Sequence, residues 1–177
     1  ARNLKLGHVV VTSVTRDDLD DGGAAVFAQV IRELRKQVPA ATIEVLIPDF
    51  KGRERDVATV LTAGPDVLNH NLETVKRLQQ QIRSGADYKR SLSVLRYAAG
   101  WKPAVTVKSG LMVGLGETDR EISEAMADLY AAGCRTLTIG QYLTPSRLHR
   151  PVERYVEPQQ FERYRAQAIA MGFKAVA

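Results

Sequence analysis

The sequence is poorest in the residues that build cross-links and metal centres. Its single cysteine, Cys134, excludes an intrachain disulfide and any Cys-x-x-Cys metal site made from this chain alone. His8 and His149 form no metal-ligand spacing with each other or with Cys134, so no metal-binding residue is expected here. Cys134 falls between a helical pattern and a strand pattern and reads as a small buried hydrophobe. Long apolar runs are also missing. No stretch approaches the ~18 residues of a membrane span, and the N-terminal ARNLKLGHVVV carries neither a small-residue cleavage site nor a long apolar region. These absences predict a soluble, intracellular chain of the cytoplasm, or of an organelle matrix in a eukaryote, with no membrane partner.

Aromatic residues make up 6% of the chain and are nowhere interleaved with a basic run. The net charge of +5 is spread among acids, as in KGRERD, which describes a solvated mixed surface and predicts no nucleic-acid partner. No G-x-G-x-x-G opens a helix after the first strand pattern, and no loop ends in GK[ST]. The sequence therefore lacks the marks of a dinucleotide-binding sheet and of a P-loop.

What remains, 177 residues of which 45% are hydrophobic, suffices for one domain with a real core. Its patterns alternate. HVVVTSV (8–14) reads as a strand and RDDLDDGG (16–23) as a turn. From Ala24 to Val38 the positions Val26, Phe27, Val30, Ile31 and Leu34 share one helical face that Pro39 ends. TIEVLIPD (42–49) is a strand, ERDVATVLTAG (54–64) a helix, and DVLNHNLE (66–73) the next strand. Helical periodicity covers 75–83 and 88–99. AVTVKSGLMVGL (104–115) then supplies a strand and its exit loop, and Thr118 with Glu121 forms a capping signature for a helix over 118–133. RTLTIGQYL (135–143) is a strand, 144–158 is proline-rich and extended, 159–172 is a helix, and FKAVA starts a further strand.

Five successive strand-then-helix units with Val- and Ile-rich strands predict a parallel sheet covered by helices, an α/β fold. In a barrel, polar residues gather where the strands end, on the face that carries chemistry. Candidates at those ends are Thr12, Ser13 and Arg16; Asp49; Asn69, Asn71 and Glu73; Lys108 and Ser109; and Gln141, Tyr142 and Ser146. In a strand, Asn69, Asn71 and Glu73 would share one face, while His70 points into the helix packing. Two amides and a carboxylate there either bond to neighbouring strands or meet a polar ligand such as a ribose or an amino acid. Gly110, Gly114 and Gly116 serve either a ligand lying against bare backbone or a tight turn. Arg147, Arg150 and Arg154, around Tyr155, can meet a carboxylate or an acidic protein, or simply solvent.

The segments VVVTSVTRDDLDDGGA, TIEVLIPDFKG, PDVLNHNLETV, GADYKRSL, KSGLMVGLGETD, LTIGQYLTPSRLHRPVERYV and MGFKAVA resemble lipoyl synthases, a radical S-adenosylmethionine (SAM) family, in order and spacing. The resemblance runs over essentially the whole chain. It implies a partial TIM-type (β/α) barrel, this chain supplying about five βα units of six. It also implies a sulfurtransferase that uses SAM and two 4Fe-4S clusters to insert sulfur at C6 and C8 of an octanoyl-lysine. The partners it implies are an octanoylated lipoyl carrier domain or H-protein, and a reductant such as ferredoxin or flavodoxin.

Carried across, Gly110, Met112, Gly114 and Glu117 match G-x-I-x-G-x-x-E beside the adenine, with methionine in place of isoleucine. Asn69, Asn71 and Glu73 take the ribose or amino-acid end of SAM, with Lys108 beside them. Thr12 and Ser13 take the methionyl amino group, and the backbone from Gln141 to Leu143 a further adenine contact. Arg147 and His149 face the octanoyl-lysine or its carrier. The family's C-x-x-x-C-x-x-C loop would precede Ala1 and its R-S-S-Y segment would follow Ala177, so the chain alone is expected to be inactive and to leave two strand edges unpaired. Two alternatives remain at this stage: a barrel remnant that binds a nucleoside or an acidic carrier without chemistry, and a relative of biotin synthase.

Overall fold

The computed structural model describes residues 1–83 and 85–177, the side chain of Arg2 excepted. Among them, six parallel strands lie side by side in chain order: β1 (His8–Thr12), β2 (Thr42–Leu46), β3 (Val67–Asn69), β4 (Thr106–Val113), β5 (Thr136–Gln141) and β6 (Ala175–Val176). The connections carry α1 (Ala24–Gln37), α2 (Glu54–Thr62), α3 (Gln79–Ile82), α4 (Tyr88–Ala99), α5 (Asp119–Ala131) and α6 (Pro158–Met171). A doubly wound sheet reverses its strand order at a switch point. This one never does. Successive βα units wound in one sense give the wall of a partial TIM-type barrel, as expected.

Alternation along the strands separates two faces. Ile43 and Val45, Leu68, Val107 and Leu111, and Leu137 and Ile139 point into a buried layer against Phe27, Ile31, Val60, Leu95, Ile122, Met126 and Leu129 of the helices. The other face lines the lumen. Helix starts follow the chemistry read from sequence. The Thr118 hydroxyl accepts from Glu121 N at 3.2 Å while the Glu121 carboxylate accepts from Thr118 N at 2.8 Å, completing the capping box of α5. Asp21, inside the predicted turn, accepts from Gly23 N and Ala25 N and caps α1.

Three expectations need correction. The third strand ends at Asn69 rather than at 73, because the chain bulges after it and rejoins β4 only at a single bridge, Glu73 to Leu111. The helix over 75–83 shrinks to Gln79–Ile82, its first part being turns. Val26, assigned to the buried face of α1, is 56% exposed: α1 packs through Ala24, Phe27, Ala28 and Ile31, and Val26 looks onto an open cavity of about 140 Å³ beside Val11 and Thr12.

Candidate functional site at the barrel mouth

The mouth is built from the C-terminal ends of the strands. After Asn69 the chain keeps bonding to β4: His70 N donates to Lys108 O, Glu73 N to Gly110 O at 2.9 Å, and Met112 N to Glu73 O at 2.7 Å. Glu73 sits at φ 71°, a left-handed conformation that costs a non-glycine residue of order 1 kcal/mol or more and is held by those two bonds. The strand alternation that was to place Glu73 therefore stops short of it. Its carboxylate has no hydrogen bond or ion pair among the described residues.

Asn71 does reach β4. A methyl group on Gly110 would lie 2.8 Å from Asn71 Oδ1, so the glycine makes the space into which that amide fits. His70 turns the other way, as expected, and is 1% exposed. Its Nδ1–H donates to Ile47 O at 2.9 Å, which leaves Nε2 to accept from the Ser91 hydroxyl at 3.0 Å. Burial holds this imidazole neutral, lowering its pKa to about 4.

Deeper in the lumen lies a cluster of charges that sequence reasoning missed. The Glu44 carboxylate, on β2 and 4% exposed, accepts from Lys108 Nζ of β4 at 2.9 Å and from Asn69 Nδ2 of β3 at 3.1 Å; its other oxygen is 3.3 Å from His8 Nε2 of β1. Asn69 Oδ1, also buried, has no partner. A charge at an inward position of the apolar run TIEVLI was the available signal.

Ser109 and Asp49 sit away from the lumen. Ser109 faces the helices, donating to His70 O and accepting from Leu72 N, and Asp49 binds Lys51 N and the Arg90 guanidinium, which hold its carboxyl below the usual range. Thr12 donates to Leu46 O, Ser13 to Val14 O, and Arg16 pairs with Asp18.

The segment after β5 folds back as a strap over the exit of β4. Gln141 donates to Arg154 O and accepts from Val156 N, Glu153 N donates to Gly114 O, and the Tyr142 hydroxyl donates to Arg150 O. Gly114, at φ 98°, has its Cβ position closed off by Gln141 and by Arg154 O, so backbone and strap alone require glycine there. Glu117, its carboxylate fully enclosed, accepts from Gly114 N at 2.7 Å and Leu115 N at 2.8 Å and fixes this turn. Leu143 and Arg147 are exposed on the strap, and His149 Nδ1 lies 2.8 Å from the Ser146 hydroxyl.

The model of the radical SAM superfamily matches residues 1–129, nearly three quarters of the sequence. The chain belongs to the radical SAM superfamily. Radical SAM relatives include the lipoyl synthase of Citrifermentans bemidjiense, 54% identical over 99% of this chain and 60% of its own length. Another is the lipoyl synthase of Caldanaerobacter subterraneus, 55% identical over 100% of this chain and 62% of its own. The chain thus spans about 60% of the length of these relatives. Among solved structures, the radical SAM enzyme coproporphyrinogen III oxidase from Escherichia coli superposes with a TM-score of 0.62 at 17% identity, covering 96% of this chain and 41% of that one, a likeness of fold.

Radical SAM enzymes use SAM and an iron–sulfur cluster. The lumen residues fit the first: Asn69 Oδ1 is a buried acceptor awaiting a donor, and Gly140 leaves bare wall beside Met112. Cluster ligands are not among the described residues, where no three His, Cys, Asp or Glu side chains gather around a common point and the Cys134 thiol is pushed by burial up to about 12.

Proposed function

We propose that this chain is the barrel wall of a lipoyl synthase, an enzyme that inserts sulfur at C6 and C8 of a protein-bound octanoyl-lysine. The observation that carries this reading is the 54–55% identity to lipoyl synthases, sustained over essentially every residue of the chain. Bound SAM supplies the hydrogen-abstracting radical and an auxiliary 4Fe-4S cluster the two sulfur atoms. The residues present here do the holding.

Asn71, seated against Gly110, and Asn69, with its free acceptor, offer hydrogen bonds to the ribose or amino-acid end of SAM. Glu73, kept in its left-handed conformation by β4, adds a carboxylate, and Lys108 an ammonium already oriented by Glu44. Thr12 and Ser13 close the site from β1. The wall of Gly110, Met112 and Gly114 and the backbone from Gln141 to Leu143 flank the adenine. Arg147 and His149, on the exposed strap, face the octanoyl-lysine and the carrier domain or H-protein that bears it. A small electron carrier, a ferredoxin or flavodoxin, delivers the reducing equivalent, and the reaction takes place in the cytoplasm.

The test is to produce the full-length protein that contains this chain, reconstitute its clusters anaerobically, and supply SAM, reductant and an octanoylated carrier. Conversion of octanoyl-lysine to lipoyl-lysine, read by mass spectrometry, is the expected result. SAM cleavage without sulfur insertion would refute the assignment.

A further inference from the structure

We infer that Gln141 is a positioning residue: its side-chain amide latches the strap of residues 144–157 to the end of β5 and so holds the exposed tip, Arg147 to His149, in place for the octanoylated carrier. The latch is read from the structure, and the carrier as the tip's partner rests on the proposed function.

The two hydrogens of Gln141 Nε2 serve Tyr142 O at 2.9 Å and Arg154 O at 3.2 Å, while Oε1 accepts from Val156 N at 2.9 Å. The two strap partners flank Tyr155, so the amide grips the strap as a neighbouring strand would. Turning the amide over would set its oxygen against two carbonyls, so the donor and acceptor ends are not interchangeable. The anchor itself is fixed, because Gln141 pairs with Val113 in the β4–β5 ladder and Tyr142 N donates to Val113 O at 2.8 Å. Among the described residues no other side chain bonds the backbone of the returning leg, 151–157, whose remaining backbone hold is on the single oxygen of Gly114.

The tip has no comparable hold of its own. Leu148 is 96% exposed, and His149 meets only Ser146 within the tip. Its place is set from the stem, where the Tyr142 and Thr144 hydroxyls donate to Arg150 O and the Arg150 guanidinium reaches Gln81 of α3 at 2.8 Å. Releasing the returning leg frees Arg150 from that register, and the tip moves with it.

The experiment uses Gln141→Glu in the full-length protein. Glutamate keeps the acceptor for Val156 N but turns an oxygen towards the two carbonyls, which drives its pKa above the usual ~4.3 and restores a donor once it is protonated. Trypsin reads the latch: the bond after Arg147 lies in the exposed tip, whereas the bond after Arg154 includes the latched carbonyl, and Pro151 blocks cleavage after Arg150. At pH 8 the variant should raise the ratio of Arg154 to Arg147 cleavage about tenfold and weaken calorimetric binding of the octanoylated carrier by about as much; at pH 5.5 both should return most of the way to native. The charged groups around the latch, Glu117 and Asp119 beyond β4, Arg150, Glu153 and Arg154 on the strap and Arg163 of α6, are common to both proteins, as is His149 in the tip. The native protein at the same two pH values therefore subtracts them. An unchanged cleavage ratio at pH 8 overturns the latch, and a raised ratio that does not fall at pH 5.5 shows that the missing donor is not its basis. A raised ratio with unchanged carrier affinity overturns the positioning role. A native protein that binds no octanoylated carrier refutes the functional reading, and the tip's role with it, whatever trypsin shows.

Discussion

Replacing Glu117 by alanine should loosen the turn that leaves β4 by an amount the structure lets one work out. Its carboxylate is fully enclosed and accepts two backbone N–H groups, from Gly114 at 2.7 Å and from Leu115 at 2.8 Å, in a place where both residues are buried. Alanine offers no acceptor. Each donor left without a partner costs ~1–3 kcal/mol, so the loss should be roughly 2–5 kcal/mol. For a chain of this size that corresponds to a fall in melting temperature of roughly 5–15 °C. Arg154, whose guanidinium lies 3.8 Å from Glu117, keeps Asp119 and adds little to the sum. Urea unfolding followed by circular dichroism gives the free energy directly. Glu117→Gln, which retains one acceptor oxygen, should lose about half as much. A loss below ~1 kcal/mol for alanine, or equal losses for alanine and glutamine, would refute the claim that two accepted backbone bonds are what this carboxylate contributes.

Gly110→Ala should leave stability within about 1 kcal/mol, since Gly110 has no left-handed backbone and the atom its methyl would strike is the end of the Asn71 side chain, yet displacing that amide should weaken SAM binding by about tenfold; calorimetric titration of the full-length protein checks both halves. The buried His70 predicts a pH dependence of known sign. Its pKa is about 4 folded and ~6.5 unfolded, so below pH 6.5 the unfolded chain takes up a proton that the folded one refuses. Stability is complete above that value and falls between about pH 6.5 and pH 4, by about 2 kcal/mol from pH 7 to pH 5. Urea titrations at those two pH values should show the loss, and His70→Gln should shrink it.

Much of this architecture could be read from residue order. Pro39, the glycine at 64 and the Thr118–Glu121 pair end or start helices through local chemistry alone, and their positions held to within a residue or two. Alternation found the strands because each has one face on the helices. It failed where neighbours decide the outcome. The third strand was read through to 73, but pairing with β4 breaks and resumes at Glu73, and no pattern within NHNLE records that. Val26 was assigned to the core because helical spacing shows only that positions share a stripe; which edge of the stripe meets the sheet depends on how α1 docks. The Glu44 cluster escaped for a similar reason. Its members lie 25, 36 and 64 positions away, and only the register of four strands brings them together.

The strand order has an evolutionary corollary. The side chains facing the mouth are delivered by different βα units: Thr12 by the first, Asn69 and Asn71 by the third, Met112 by the fourth, and the strap by the fifth. The strand of each unit pairs only with the strands of the units adjacent in the chain. An exchange of one exit loop therefore rewrites one quadrant of a ligand's surroundings while the remaining walls persist. Selection can in this way alter what such a barrel recognises in small, separately heritable instalments.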